Sequence, residues 1–436
     1  MSRQLRSVIE DRGSSPLGLL GGLSVVALLV PLLAATPQSD AETIFATAEG
    51  LLHTGRVADA RAAYLKIVDT FPRATHPQLV WRAAARVGLG DLLWNSGDWQ
   101  RAGAEYVDVL EFEPRSKWTS RARLKLAYVA LAAQDWAGAI DLLQRVVSAA
   151  GNVAETSAAA AARRTLALVE RFHVRGASSA APYTRASVIN MGAELDRPVA
   201  IAASADGQVL LIDEGTPVVL LKDPARDAAS RLTYNAHSRP WWGVDGLPYL
   251  PTRKAGVIAL GGSRLGFMSN ERGRSMPLKD LQAGVRTPNG CWFLLDADPR
   301  RVLKFDSDGT YRGLATTTRE EPVDVAIDGV GRLYILDRAS SQVIRFSADG
   351  ARDGIVATAR WRRPEALAVD RLGNSYVLDR DARTIDIFSS TGQRLGRLGP
   401  TLPGNIELRS PRDLAVDASG RIYIADRNLR AVVIVE

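Results

Sequence analysis

The side chains that are suited to catalysis or metal binding are few in this chain. It has a single cysteine, Cys291, and four histidines, His53, His76, His173 and His237. Only His237 lies in the C-terminal half, so that half cannot supply the three imidazoles of a histidine zinc site. One cysteine forms neither an internal disulfide nor a cysteine zinc cluster. The sequence also contains no nucleophile elbow, phosphate-binding glycine loop or zinc-protease helix motif.

Carboxylates are the next candidates for metal ligands. An Asp-Arg pair recurs at Asp337-Arg338, Asp379-Arg380 and Asp426-Arg427. A ring of such aspartates could bind a metal ion, but the periodicity favours a structural role in ion pairs or turn hydrogen bonds. Oxygen ligands for a divalent ion are also available, without a recognisable motif, at Glu214, Asp245, Asn289 and Asp298. We predict no catalytic residue, no metal site and no cofactor.

Aromatic side chains provide the best candidates for ligand contacts. The segment 238–249 contains Trp241, Trp242 and Tyr249 together with two prolines and an aspartate. Stacked aromatic rings beside a carboxylate suit a glycan or peptide surface. The alternative is that these rings plug the space between structural units. Trp118, in the polar stretch Arg-Ser-Lys-Trp-Thr, is a further candidate for an exposed contact.

A repeat in the last 150 or so residues predicts how these residues are positioned. Pro322, Pro364 and Pro411 are each followed by a glycine after nine residues and by an aspartate six residues later, and the copies begin 42 and 47 residues apart. A period near 40 with strand-like content predicts a β-propeller with one blade per repeat. The structural repeat positions are Asp213, Asp296, Asp337, Asp379, Asp426, Gly331, Gly373 and Gly420.

The same spacing predicts six blades. It identifies one blade that begins at Pro198 and another that contains Asp296, and a degenerate blade fits within 240–280. The last copy reaches Glu436 without a fourth strand. Because an open ring would leave exposed strand edges, we predict that residues 183–191 supply the missing strand and close the propeller.

Residues 42–172 predict a helical solenoid instead. The segments 55–60 and 97–102 each run from glycine to alanine, a tyrosine follows four residues later, and Pro72 or Pro114 comes after it. A third copy begins at Gln134. Alanine lets paired helices approach, and proline ends the second helix. We predict three helix pairs, a closing helix over about 152–172 and a linker at 173–182.

Both halves resemble known repeat families. The helix pairs resemble the tetratricopeptide repeat, which implies a concave face that binds peptides or proteins. The propeller motifs Pro-x-x-x-Ala-Val-Asp and Gly-x-Ile-Tyr-x-x-Asp resemble the NHL repeat, although the Asn-His-Arg/Lys triplet of that family is missing. The resemblance implies relatives that include zinc lyases with histidine ligands. Gluconolactonase-like propellers instead use carboxylate and amide oxygens for a divalent ion.

The N-terminus has the features of an export signal. Three arginines precede an uncharged apolar run of 19 residues from Leu17 to Ala35. The length fits a membrane span of about 20 residues, whereas Pro31 and a candidate cleavage site at Ser39-Asp-Ala41 favour a cleaved signal peptide. Both alternatives remain open. The positive flank predicts that the rest of the chain lies outside the cytoplasm, in the periplasm or beyond it.

Together these observations predict a multidomain α + all-β chain. Its parts are a signal or anchor (1–41), tetratricopeptide-like helices (42–172), a linker (173–182) and a six-bladed NHL-like propeller (183–436). We interpret it as an exported, non-catalytic scaffold of the cell envelope that binds protein partners through the solenoid and the propeller face. The alternatives are a metal-dependent lyase or lactonase and a carbohydrate-binding propeller. The charge of +7 is interleaved with acidic residues, so nucleic acid is not an expected partner.

Overall fold

The computed structural model describes 37–71, 79–150, 157–174 and 182–436. The last range has short gaps at 190, 192–194, 216–217, 224–227, 234–237, 244, 253–255, 261, 263, 272–273 and 317–319. The apolar run from Leu17 to Ala35, predicted to be a signal or anchor, lies outside the described residues, as do His76 and His237. Among the described helices, none has the length and apolar character needed to cross a membrane.

The described residues of the N-terminal part form three helix pairs and a closing helix, as predicted. The helices are α1 (Pro37–His53), α2 (Val57–Thr70), α3 (Leu79–Asn95), α4 (Trp99–Phe112), α5 (Thr119–Ala132), α6 (Trp136–Ala150) and α7 (Ser157–Val169), followed by a π-helical turn (Glu170–Val174). The first helix begins at Pro37, five residues before the predicted start. Gly55 and Gly97 adopt φ values of 76° and 84° between the paired helices, a left-handed conformation that ends a helix.

The repeated alanine and tyrosine explain how the pairs pack. Ala60, Tyr64, Ala102 and Tyr106 are completely buried. Gly90 of α3 lies opposite Tyr106, and a Cβ at Gly90 would lie 2.5 Å from the Tyr106 ring. Each tyrosine ring therefore lies directly on the backbone of α3, which only glycine permits.

The C-terminal part contains six four-stranded antiparallel sheets, the predicted six blades. Blade 1 consists of β2 (Pro198–Ala203), β3 (Val209–Asp213), β4 (Val218–Asp223) and β5 (Ala228–Thr233). Blade 2 consists of β6 (Trp241–Trp242), β7 (Pro248–Thr252), β8 (Gly256–Ala259) and β9 (Arg264–Gly266). Blade 3 consists of β12 (Leu281–Arg286), β13 (Trp292–Ala297), β14 (Arg300–Phe305) and β15 (Tyr311–Leu314). The degenerate blade predicted within 240–280 is blade 2. A hairpin, β10 (Met268–Glu271) and β11 (Arg274–Pro277), follows it.

Blades 4 to 6 are the regular repeats. Blade 4 consists of β16 (Pro322–Ile327), β17 (Leu333–Asp337), β18 (Gln342–Phe346) and β19 (Arg352–Thr358). Blade 5 consists of β20 (Pro364–Val369), β21 (Ser375–Asp379), β22 (Thr384–Phe388) and β23 (Arg394–Leu398). Blade 6 consists of β26 (Pro411–Val416), β27 (Ile422–Asp426), β28 (Ala431–Val435) and β1 (Ala186–Ile189). A short hairpin, β24 (Thr401–Leu402) and β25 (Ile406–Glu407), precedes blade 6.

The predicted closure of the ring is confirmed. β1 is the outermost strand of blade 6 and pairs antiparallel with β28, from Ala186 opposite Val435 to Ile189 opposite Val432. The Glu436 backbone N–H donates to the Arg185 carbonyl at 2.8 Å. The first strands of the six blades surround a central channel.

The helices pack on one face of the propeller. This covered face is formed by the turns between the first and second strands of the blades. Val330 and Leu372, in two of these turns, belong to the same buried cluster as the core of the helical domain. A Cβ at Gly420, in a third turn, would lie 2.7 Å from Leu168 of α7. We call the opposite face, which carries the turns after the repeat aspartates, the open face.

Candidate functional site

An arginine lines the propeller channel near the open face. Arg239 precedes the first strand of blade 2, and its guanidinium donates to the carbonyls of Val323 at 2.8 Å and Glu365 at 2.6 Å. Its Nε lies 3.2 Å from Asp413 Oδ1, and its Nη1 lies 3.8 Å from Asp324 Oδ1. One side chain from blade 2 therefore joins blades 4, 5 and 6.

The two carboxylates around Arg239 depend on its charge. Asp324 and Asp413 are only 4% and 2% exposed. Burial raises the pKa of both carboxyls, and Arg239 opposes that rise. Although burial favours a neutral Arg239, the two carboxylates raise its pKa. Because a buried carboxylate without a cation is strongly unfavourable, the guanidinium serves as the counter-ion of the channel.

The structure does not bring the sequence-derived metal candidates together. Glu214 lies 3.8 Å from Arg427, and Asp298 lies 3.7 Å from Lys279, both at the open face. Asp245 and Asn289 are in turns of the covered face. Among the described residues, no group of three or more His, Cys, Asp or Glu side chains could hold a metal ion.

The repeat aspartates are bonded to backbone amides. Asp379 accepts hydrogen bonds from the N–H groups of Arg362 at 2.7 Å, Arg363 at 3.0 Å and Ala382 at 3.2 Å. Each carboxylate thus joins the connection entering its blade to the second strand. Equivalent bonds are made by Asp213, Asp296, Asp337 and Asp426. The turns on the covered face use the left-handed conformation at Gly331, Gly373 and Gly420.

The aromatic segment of blade 2 is mostly part of the core. Trp241 is 8% exposed and Tyr249 only 2%. Their rings stack with centroids 5.8 Å apart, and Tyr249 meets Trp292 edge-on at 5.2 Å. Trp242 is half-buried and lines the channel. Such burial argues against a glycan-stacking surface at Trp241 and Tyr249, whose rings fill the space between blades 2 and 3.

Tyr249 also belongs to a polar network that the sequence analysis missed. Its hydroxyl donates to Asp245 Oδ2 at 2.5 Å, and Arg286 Nη1 lies 2.7 Å from the same oxygen. Burial, together with Asp245, raises the pKa of Tyr249 to about 12. A signal for this network was available, because Tyr249 follows Gly246 by three residues, the Gly-x-x-Tyr spacing of blades 4 to 6.

Trp118 lines a cavity between the helical domain and the propeller. The solenoid cavity, as we call it, has a volume of about 430 Å³. Its walls include Phe45 and Glu49 of α1, Tyr64 of α2, Gly88 and Asp91 of α3, Trp118 and Arg121 at the start of α5, and Arg286 and Asn289 of blade 3. Trp118 is half-buried rather than exposed on a loop.

The solenoid cavity has aromatic and charged parts. The rings of Phe45 and Trp118 lie 5.8 Å apart, and the Arg121 guanidinium lies 5.6 Å from the Trp118 ring. Arg121 Nη2 also lies 2.7 Å from Asp91 Oδ2. Although burial opposes it, Lys125 and Arg121 lower the pKa of Asp91. The cavity therefore combines an apolar surface with fixed charges of both signs.

A comparison with known protein families agrees with the helical part of this architecture. A tetratricopeptide repeat model matches residues 121–152, which include most of α5 and all of α6. No curated protein matches the chain. Among solved structures, a gluconolactonase from Xanthomonas campestris is 15% identical, with a TM-score of 0.45 over 58% of this chain and 90% of its own. Virginiamycin B lyase from Staphylococcus aureus is 12% identical, with a TM-score of 0.41 over 58% and 98%.

A third structure is described as an auxiliary nutrient binding protein from Bacteroides thetaiotaomicron. It is 10% identical, with a TM-score of 0.43, and covers 56% of this chain and 69% of its own. At such identities and TM-scores, none of these likenesses carries an argument about activity or ligands. The chain has a tetratricopeptide-like helical domain and a six-bladed propeller, a combination that at a coarse level supports interactions with proteins.

Proposed function

We propose that the chain is an exported protein-interaction scaffold whose solenoid cavity binds a peptide segment of its partner. The observation that carries this proposal is the solenoid cavity itself, which has a volume of about 430 Å³. That volume is within the range of ligand sites, which favour the interfaces between domains. The walls come from α1, α2, α3, α5 and blade 3, so a bound peptide would contact both domains.

The walls indicate the chemistry of the peptide. Phe45 and Trp118 offer an apolar surface for one aromatic or aliphatic side chain. Glu49, Arg121 and Asn289 surround it with groups that can hydrogen-bond to a peptide backbone or to polar neighbours. A hydrophobic anchor flanked by polar residues is therefore the expected motif, since buried anchors dominate such interfaces.

A second surface is proposed at the open face. Glu365 lies within 3.3–4.0 Å of Arg363, Arg380, Arg412 and Arg338, so four guanidinium groups share one carboxylate. Burial lowers the pKa of Arg412, and the nearby charges of Arg380 and Arg427 add to that effect. Excess positive charge at this rim suits acidic side chains of a partner protein.

The envelope location is also part of the proposal. It is supported by the arginines and the uncharged run Leu17–Ala35 at the N-terminus, which are typical of export signals. A lactonase or lyase activity is less well supported, because Arg239 engages the channel carboxylates Asp324 and Asp413.

The test is selection of a random-peptide display library on the full chain. We expect enriched peptides that share a hydrophobic anchor and bind with micromolar or tighter affinity. Trp118→Ala and Arg121→Ala should each weaken binding about tenfold or more, because buried aromatic and arginine contacts are common hot spots. The matched control is Arg145→Ala, which removes an exposed arginine of α6 that is paired with Asp141.

Two outcomes would contradict the proposal. One is the absence of any enriched peptide on the wild-type chain. The other is a set of enriched peptides whose affinity is the same for wild type, Trp118→Ala and Arg121→Ala. Loss of binding in Arg121→Ala but not in Arg145→Ala would support the solenoid cavity as the site.

A further inference from the structure

A second cavity lies between the helical domain and blades 4 and 5. This interdomain pocket has a volume of about 210 Å³. Its helical wall carries three aromatic side chains, Trp94, Tyr128 and Trp136. Its propeller wall carries three arginines, Arg332, Arg345 and Arg371. Aromatic rings therefore face guanidinium groups across a space that is smaller than most drug-sized ligand sites.

Two of the three arginines have carboxylate partners. Arg332 Nε lies 2.6 Å from Asp328 Oδ2, and Arg345 Nε lies 2.5 Å from Asp353 Oδ2. Arg345 also donates to the Ser390 carbonyl at 2.8 Å. These two side chains are thus engaged within the propeller, and their charges are balanced there.

The third arginine has no such partner. Arg371 has no carboxylate within ion-pair distance in the described part of the chain, and its Nε is buried without a hydrogen-bond acceptor there. Its guanidinium lies 4.2 Å from the centroid of the Tyr128 ring, a cation–π contact. Because a buried donor without an acceptor costs about 1–3 kcal/mol, an anion in the pocket would relieve this cost.

Arg371 is also held in place from two sides. A Cβ at Gly329 would lie 2.6 Å from Arg371 Cγ, so the absence of a side chain at Gly329 makes room for the arginine. The next residue, Leu372, is buried in the core of the helical domain. A guanidinium that is fixed before binding loses little conformational entropy when a ligand arrives.

We propose that the interdomain pocket binds a small organic carboxylate with a flat apolar body. The carboxylate accepts hydrogen bonds from Arg371, a pairing that guanidinium groups favour by geometry. The apolar body packs against Trp94 and Trp136, which bury such surface well. A bound ligand would contact both domains and stabilise their association. The proposal does not depend on peptide binding in the solenoid cavity, because the two sites are lined by different residues.

The probes are 2-naphthoate, its uncharged analogue 2-naphthalenecarboxamide, and inorganic phosphate. Each is titrated against the full chain by calorimetry and by quenching of tryptophan fluorescence. We expect saturable binding of 2-naphthoate, at least tenfold weaker binding of the carboxamide, and no saturable binding of phosphate. Arg371→Gln should remove the preference for the carboxylate. The control Arg312→Gln, at an exposed arginine paired with Asp306 in blade 3, should retain it.

A second variant keeps the test decisive if Arg371→Gln does not fold. Ala132→Phe places a ring in the pocket from α5 while leaving Arg371 unchanged, so it should abolish binding of both naphthyl probes. The proposal is overturned if the wild type binds neither naphthyl probe, or binds both equally. It is also overturned if phosphate binds as tightly as 2-naphthoate, or if Ala132→Phe binds as the wild type does.

Discussion

Blade 2 and the regular blades 4 to 6 form the same hydrogen bond from different sequence positions. In blades 4, 5 and 6, a buried tyrosine of the second strand donates to an aspartate six residues earlier, at 3.0 Å in each case. In blade 2, Tyr249 donates to Asp245, four residues earlier, at 2.5 Å. The Asp-Tyr bond is therefore retained although the spacing is not.

Local sterics explain the change of position. In blade 4, the backbone N–H of the turn glycine Gly331 donates to the carbonyl of Asp328 at 3.1 Å. In blade 2, the N–H of Gly246 donates to the carbonyl of Gly243 at 3.0 Å. Gly243 therefore occupies the turn position of the regular aspartate. A Cβ at Gly243 would lie 2.4 Å from Asp245 Oδ1 and 2.5 Å from the Tyr249 ring. Only glycine leaves room for the displaced carboxylate.

Blades 1 and 3 show the converse. In blade 1, Leu210 replaces the tyrosine and Ser204 replaces the turn aspartate. In blade 3, the corresponding residues are Phe293 and Thr287. At these two positions, which the structure describes, neither blade has a tyrosine or a carboxylate. Within one chain, the turn carboxylate is thus present where a buried hydroxyl needs an acceptor, which teaches that it serves the fold rather than a ligand.

The largest effect is expected where blade 2 joins the regular blades. Arg239→Met would leave Asp324 and Asp413 buried without their cation, and we expect the free energy of unfolding to fall by about 3–5 kcal/mol. Denaturant titration of the purified variant measures this change. The same substitution at Arg300, which is 37% exposed at the open face, should cost no more than about 1 kcal/mol.

The triple variant Arg239→Met, Asp324→Asn, Asp413→Asn sharpens this result. It should recover part of the loss, because the uncompensated charges are removed together with the cation. A cost below about 1 kcal/mol for Arg239→Met alone would show that the channel does not depend on this ion pair.

A smaller loss of stability should distinguish Tyr376 of blade 5 from Tyr249 of blade 2. Tyr376→Phe removes a donor from Asp370, which is 3% exposed, and should cost about 1–3 kcal/mol. Tyr249→Phe should cost less, because Asp245 keeps Arg286 and its side chain is 27% exposed to water. Denaturation of both variants under one condition tests the order, and a larger cost for Tyr249→Phe would contradict it.

Blade 5 can also be converted to the arrangement of blade 3. The double variant Asp370→Thr, Tyr376→Phe reproduces the pair Thr287 and Phe293. Because each single variant removes one side of the Tyr376–Asp370 hydrogen bond, while Asn374 still donates to Asp370 in Tyr376→Phe, the double variant should cost less than the sum of the two, with a coupling energy of about 1 kcal/mol. Additive costs in a double-mutant cycle would show that the two groups do not act as a pair.

The fold was predictable because its signals are local and repeated. The Pro-Gly-Asp spacing of blades 4 to 6 reports strand and turn lengths directly, and the missing strand of blade 6 follows from the count of strands. Blade 2 does not show the Pro-Gly-Asp spacing, because its first strand is reduced to Trp241–Trp242 and Thr252 replaces the repeat aspartate. Its Gly-x-x-Tyr motif remained as the readable signal.

The cavities were not predictable from the sequence. Trp118 was singled out as an exposed contact, yet its environment depends on how the helices pack on blade 3. Arg239 carries no local signal, because its partners Asp324 and Asp413 lie about 90 and 170 residues further along the chain. Arg371 is one arginine among many until the structure places it beside Tyr128.

The smallest expected effect is the pH dependence of the stability that Asp370 contributes in blade 5. In blades 4 and 6 the residue after the turn glycine is an arginine, whereas blade 5 has Asn374, which donates to Asp370 through its side chain at 2.9 Å. Burial raises the pKa of Asp370 to about 6, although Asn374 and Tyr376 oppose the rise. Its unfolded value is about 3.9.

Between these values the folded state binds more protons than the unfolded state, so this group's contribution to stability falls as the pH rises from about 4 to about 6. Asp370→Asn removes the titration. Its free energy of unfolding relative to wild type should therefore increase over that interval and level off above about pH 7. Denaturation of both proteins from pH 4 to pH 8 measures the difference. Parallel curves would show that the pKa of Asp370 is the same in the folded and unfolded states, so that burial does not raise it.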